Sequence, residues 1–264
     1  MSVTTGTDDK GFQIVTIPCL RDNYAFLIHD TTTNRTALID APEAAPIQTV
    51  LRARGWRLDA ILLTHHHDDH IQAVPALVAE FKAKVYGAAA DAERLPPLGH
   101  ALKPGDRFSL LGTPVEVLDV PGHTVGHIAF YLPELSAVFT GDSLMVMGCG
   151  RLFEGTPAQM YDTLQRLAAL PADTMVYSGH EYTESNMRFA LSLLPDDPAL
   201  RARAAKIAAV RAEGGFTIPA KLSQELATNP FLRSADPAIA HAVDMDGQDP
   251  ARVFAKLRSL KDSF

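Results

Sequence analysis

Residues 64–70 read Thr64-His65-His66-His67-Asp68-Asp69-His70 and are entered directly from the apolar run Ile61-Leu62-Leu63. A short continuous apolar run leading into polar residues predicts a strand, Asp59–Leu63, buried on both faces, with the imidazoles and carboxylates gathered just past its end. Four histidines and two aspartates in six positions are costly to crowd together unless a cation compensates them. The plain alternative is a solvated polar loop. The choice between them depends on whether further ligands stand at other strand ends.

The pattern around this segment predicts an α/β body. Residues 12–18, 24–29 and 36–39 are short runs rich in β-branched or aromatic residues, and turn formers such as Asp22-Asn23 separate them. A helix is predicted from Glu43 to Arg54, ended by Gly55, and another over Ile71–Phe81, followed by a strand at Lys84–Tyr86. Val115–Val120, Ile128–Leu132, Ala137–Thr140 and Thr174–Ser178 read as further strands, and Pro157–Leu170 as a helix capped by Thr156. After His180 the texture changes to helical patterns at 186–194, 198–213, 219–227 and 249–260, with no strand expected. A body over residues 1–180 and a helical domain over 181–264 is the expected organisation.

Composition narrows the partners. The chain of 264 residues has a formal charge of −7, the opposite of the basic footprint of a nucleic-acid surface. Its two cysteines, Cys19 and Cys149, are too few for a disulfide framework. The opening stretch has neither a basic start nor an apolar core of signal-peptide type, and no apolar run approaches the ~18 residues of a membrane span. A soluble cytoplasmic protein is expected, with a monomer as the default.

Further candidate ligands stand where strands end. Pro121-Gly122-His123-Thr124-Val125-Gly126-His127 follows one predicted strand, Gly141-Asp142 a second and Gly179-His180 a third. Seven of the ten histidines fall in these segments and the first one. Each later segment places a glycine just before the candidate ligand, which lets the backbone turn sharply there. Loops at the ends of packed strands are a common place to collect catalytic groups on a rigid scaffold.

The HxHxDH box with a distant His, Asp and His resembles the metallo-β-lactamase superfamily, and within it the chain is similar to glyoxalase II, the hydroxyacylglutathione hydrolases. The resemblance runs through DNY at 22–24, THHHDDH at 64–70, PGHTVGH at 121–127 and FTGDSLMVMGCGRLFEGT at 139–156. It continues through SGHEYT at 178–183, NPFLR at 229–233 and RSLKDSF at 258–264. It implies a four-layer αββα sandwich with a C-terminal helical domain. It also implies two divalent metal ions, one held by His65, His67 and His123, the other by Asp69, His70 and His180, with Asp142 bridging. His66 and Asp68 occupy variable positions, and His127 is expected to support the site rather than ligate. Five imidazoles and two carboxylates without a thiolate suit zinc, with iron or manganese as alternatives.

The implied activity is hydrolysis of S-(2-hydroxyacyl)glutathione thioesters, S-D-lactoylglutathione giving D-lactate and glutathione. Asp69 and Asp142 would serve the chemistry. By the same resemblance, Arg151, Phe153, His180, Tyr182, Arg258 and Lys261 would meet the substrate. Phe153 stands where some family members carry tyrosine, and Arg151 where others carry lysine. The rival expectations are a lactonase or other hydrolase of the superfamily, and a metal-binding protein without turnover.

Overall fold

The structure, a computed structural model, describes residues 11–264 and the backbone of residues 4–7. The stretch read for a signal segment, residues 1–12, therefore lies largely outside the described residues. The chain forms two compact units, one of Met1–Asp119 with Gly126–Gly141, the other of Val120–Val125 with Asp142–Phe264.

The first unit is built on a seven-stranded mixed sheet in chain order: β1 Thr4–Thr7, β2 Phe12–Cys19, β3 Asn23–Asp30, β4 Arg35–Ile39, β5 Ala60–Leu62, β6 Lys84–Ala88 and β7 His100–Leu102. The first four strands are antiparallel, and β4 to β7 run parallel. Parallel neighbours need crossovers. Helix α1 (Ala44–Arg54) supplies the first, and α2 (Asp68–Ile71) with α3 (Val74–Phe81) the second. Val15, Leu27, Leu38 and Ile61 of the sheet bury against Ile47, Leu51, Val74 and Leu77 of these helices.

Strand β3 is buried along its whole length. Its other face is covered by an antiparallel ribbon, β8 Arg107–Leu110, β9 Thr113–Asp119, β10 Ile128–Leu132 and β11 Ala137–Gly141. Phe26 of β3 meets Phe139 of β11 with ring centroids 5.6 Å apart. Two apolar sheet faces thus pack on each other, with helices outside the first.

The second unit contains a small hairpin, β12 Leu144–Met145 with β13 Gly148–Cys149, and a pair, β14 Met175–Ser178 with β15 Ala220–Lys221. Its helices are α4 Pro157–Ala168, α5 Thr183–Leu193, α6 Pro198–Ala212, α7 Leu222–Thr228, α8 Pro237–Ala242 and α9 Pro250–Ser263. Their starts are written in the sequence. Thr156 and Gln159 form a reciprocal capping box, and Asp197, Asp236 and Asp249 cap helices that begin with proline. Phe231 stacks on Phe189 and meets Phe254 edge-on, and the three form an aromatic core.

The structure departs from the sequence expectation in three places. The helix expected over 71–81 is two helices, because Pro75 cannot continue a preceding turn and starts a new one. Part of the ligand segment is therefore helical, with Asp69 and His70 in α2. Beyond residue 184, where no strand was expected, β15 pairs with β14, and the helix expected from 219 begins only at Leu222. Two sheets flanked by helices, followed by a helical C-terminal region, remain the architecture. Among the described residues no helix is long and apolar enough to cross a membrane.

Candidate metal centre

In the first unit, β5 delivers the chain into Thr64, and the ligand segment then turns through α2. His65 and His70 are fully buried, and His65 Nε2 lies 3.2 Å from His67 Nδ1. The His65 and His70 rings are 4.2 Å apart, and Asp69 Oδ2 lies 3.9 Å from His70 Nε2. His127 stacks on His65 at 4.6 Å and 12°, and its Nδ1 faces the Ile128 carbonyl at 3.1 Å. His66 turns away: its two nitrogens face Asp91 and Arg94 at 3.0 and 3.2 Å.

The orientation of these imidazoles is set from beneath by a residue that sequence reasoning missed. Asp40, buried at the end of β4, accepts from the Thr64 backbone N–H, the Thr64 hydroxyl and His70 Nδ1–H, each at 2.8 Å. With its proton given to Asp40, the Thr64 hydroxyl oxygen accepts from His65 Nδ1–H at 3.0 Å. Both rings therefore carry the proton on Nδ1 and present Nε2 as a lone pair. Buried carboxylates commonly fix metal-binding histidines in this way. A second missed residue is Asn23, whose amide donates at 3.0 Å to both the backbone carbonyl and the carboxylate of Asp69. It lies in the DNY motif, so the sequence carried a signal for it.

In the second unit, His123, Asp142 and His180 converge. Asp142 Oδ2 lies 3.5 Å from His123 Nε2 and 3.2 Å from His180 Nε2, and all three side chains are buried. His123 Nδ1 donates to the Arg151 carbonyl at 2.7 Å. A carbonyl can only accept, so the proton is on Nδ1, and in the neutral ring Nε2 aims a lone pair at a carboxylate oxygen. A cation between two such atoms satisfies both, as a second ring proton would in the imidazolium. The loop that carries His123 needs its glycine. Gly122 has φ +144, and a Cβ there would lie 2.8 Å from the Met160 Cβ. Gly150 is equally constrained, since a Cβ there would overlap the Asp142 carbonyl oxygen.

The His and Asp clusters thus fit metal binding, as groupings of histidine and carboxylate donors without a thiolate. Cys149 is a packed residue of the β12–β13 hairpin, and burial pushes its thiol pKa up. Cys19 is likewise buried, its thiol pushed up to about 12 by desolvation and the neighbouring Glu43 carboxylate.

The residues expected to meet substrate lie in the second unit. Tyr182 stacks on His180 at 4.7 Å and 9° and is half exposed; Phe153 is exposed and meets the His123 ring edge-on at 5.2 Å. Arg151 and Arg258 both point at Asp262, at 3.4 and 2.9 Å. Arg258 is only 6% exposed, and its other amino group donates to the Cys149 carbonyl at 2.9 Å while the guanidinium covers the Phe231 ring. Lys261 donates to the Ser185 hydroxyl at 3.1 Å. Burial, then the nearby guanidiniums of Arg258, Arg188 and Arg151, hold the Lys261 ammonium pKa below the usual lysine range.

A family model described as Metallo-beta-lactamase superfamily matches residues 20–180, and one described as Hydroxyacylglutathione hydrolase C-terminus matches residues 181–264. Proteins named Hydroxyacylglutathione hydrolase from Ruegeria pomeroyi and from Jannaschia sp. are 64% and 60% identical over 252 residues, covering 96% of this chain and 99% and 98% of theirs. A solved structure of TTHA1623 in a di-iron-bound form is 31% identical, with TM-score 0.57, over 83% of this chain and 99% of its own. With this identity sustained along nearly its whole length, the chain belongs to the hydroxyacylglutathione hydrolase, or glyoxalase II, family of the metallo-β-lactamase superfamily.

Proposed function

We infer that the chain holds two metal ions, His65, His67 and His123 on one, Asp69, His70 and His180 on the other, with Asp142 shared. The chain is a hydroxyacylglutathione hydrolase and carries the glyoxalase II step of methylglyoxal detoxification, splitting a 2-hydroxyacyl thioester of glutathione into the hydroxy acid and the free thiol. The observation that carries the metal reading is the His123 ring, with Nδ1–H held by the Arg151 carbonyl and Nε2 facing the Asp142 carboxylate. Bound there, the ions would supply Lewis acidity, polarising a carbonyl and bringing the pKa of water from ~15.7 to near 7. Zinc is the ion proposed first, with iron or manganese as alternatives.

The chain's own residues do the remaining work. Asp69, steadied by Asn23, orients the attacking oxygen, and Asp40 and Thr64 keep His65 and His70 in the ligating tautomer. A thiol of pKa ~8.5 leaves as thiolate without a proton donor, so no general acid is required of this site. For the glutathione carboxylates, Arg151, Lys261 and the Tyr182 hydroxyl are the proposed contacts, with Phe153 and His180 beside them. Arg258 takes part from a buried position. Functionally we assign residues 1–180 to the catalytic domain and 181–264 to substrate binding, in a chain acting as a monomer in the cytoplasm. The two free, buried cysteines accord with a reducing compartment.

Purified protein given S-D-lactoylglutathione, a simple lactone and a β-lactam, with metal content measured alongside, tests this. Preferential thiol release from the first is expected; equal or better turnover of the lactone would contradict it. Two variants probe the pocket. Lys261→Ala is expected to raise KM about tenfold with kcat nearly unchanged, the cost of one charge-assisted hydrogen bond made alike in ground and transition states. Arg258→Ala is expected to raise KM and also to lower stability by roughly 2–3 kcal/mol, because it strips the Cys149 carbonyl and the Phe231 face of their partner. A thermal melt distinguishes the two. Phe153→Tyr, at an exposed ring, should lower KM by about threefold, on the order of one exposed hydrogen bond, without changing the melt.

A further inference from the structure

The segment from Asp142 to Arg151 ties two parts of the site together. Asp142 stands at one foot of the β12–β13 hairpin, and Arg151, whose carbonyl holds His123, at the other. The feet are joined by the Gly150 N–H donating to the Ser143 carbonyl at 3.0 Å. The tip is a two-residue turn in which Met147 has φ +61, a left-handed conformation that a non-glycine residue keeps only when its surroundings enforce it.

Those surroundings are side chains of the C-terminal helices. Glu225 of α7, fully buried, accepts the Met147 N–H at 2.7 Å and the Asn229 amide at 3.0 Å through the same oxygen. Its second oxygen is ion-paired with Arg203 of α6. The Asn229 amide also donates to the Met145 and Gly148 carbonyls at 3.2 and 3.0 Å, and Asn186 of α5 donates to the Val146 carbonyl at 3.1 Å. The Met147 N–H and the Met145, Val146 and Gly148 carbonyls are thus met by side chains from helices.

We propose that Glu225, Arg203 and Asn229 form a clamp that positions the 142–151 hairpin, and that through it the helical region sets the placement of the Asp142 carboxylate and of the Arg151 carbonyl behind His123. The proposal rests on the metal reading above. Glu225 and Asn229 are positioning residues: they act on metal retention and on turnover, not on recognition of the thioester. The essential element is the acceptor offered to the Met147 N–H. Arg203 is there to make a buried carboxylate tolerable.

Two double variants separate the acceptor from the charge. E225L with R203M removes both in an apolar, shape-matched exchange, which commonly preserves folding. E225Q with R203M removes the charge but keeps a carbonyl oxygen for Met147. Each protein is loaded with zinc, checked by circular dichroism, and assayed for zinc release to a chelator and for kcat and KM. In E225L/R203M, zinc release is expected to speed up, and kcat to fall, by ~10–100-fold, the effect of losing a partner behind a metal ligand, with KM held within about twofold. E225Q/R203M is expected to restore most of both. A folded E225L/R203M with wild-type release and kcat would overturn the clamp. So would equal losses in the two double variants, since the acceptor would then be irrelevant. If E225L/R203M does not fold, N229A decides: faster zinc release supports the clamp, and wild-type release overturns it. A wild-type protein that holds no zinc would instead indict the metal reading itself.

Discussion

Asp142→Ala is expected to reduce thiol release from S-D-lactoylglutathione by on the order of 10³-fold, the upper range for loss of one preorganised electrostatic partner. Two buried imidazoles approach the Asp142 carboxylate within 3.5 Å, from loops almost sixty residues apart, at His123 and His180. Its removal leaves those rings without the anion that makes a cation stable between them. Metal content should fall together with activity. Asp142→Asn is the sharper variant, because it keeps the shape and takes away only the charge. A protein with full metal content and near-normal turnover in either variant would show that Asp142 is structural.

Asp40→Asn is the second large effect, and it acts at a distance from the substrate. The residue has φ +54, a region that asparagine tolerates well, so the backbone is spared and the hydrogen bonding alone is altered. An asparagine has one acceptor oxygen where Asp40 serves three donors, the Thr64 N–H, the Thr64 hydroxyl and His70 Nδ1–H. At least one buried donor is then unmet, at roughly 1–3 kcal/mol of stability. His70 is also freed to carry its proton on Nε2, the nitrogen needed for ligation. Metal affinity is expected to drop ~10–100-fold, which a chelator competition measures, while KM changes little. Asp40→Ala should add a further loss of stability by stranding all three donors.

These two residues mark what was legible in the chain. Asp142 and the six other proposed ligands are short-range signals: a run of donors just past an apolar strand at 65–70, and a glycine followed by a donor at 123, 142 and 180. Strands of five or more residues and the proline-started, aspartate-capped helices are signals of the same kind, written within a few positions. Asp40 was not legible because its meaning depends on His70, thirty residues away, and only the parallel pairing of β4 with β5 brings the two together. Glu225 is a stronger case, lying 78 residues from the Met147 N–H it accepts. Strands of two or three residues such as β7 and β15 are likewise fixed by pairing with β6 and β14 rather than by their own composition. Arg258 was legible as a cation near the chain end, but its burial against Phe231 and the Cys149 carbonyl was not. That burial changes its expected mutant from a purely kinetic one to one that is also unstable.

The resemblance carried more than local pattern could. Local pattern explains why a metal is expected but not why the substrate should be a glutathione thioester, since the cations of the last helix are also common residues at a helix C-terminus. The agreement of sequence along nearly the full length supplies the activity, and Arg151, Lys261 and Tyr182 are the proposed contacts to be tested for it.

The most direct test is anomalous diffraction from crystals of the protein grown with excess zinc. Two peaks about 3.5–4 Å apart are expected, as in two-metal hydrolytic sites, with Asp142 touching both and His65, His67, His123, Asp69, His70 and His180 dividing between them. A single peak, or two peaks with Asp142 touching neither, would contradict the account.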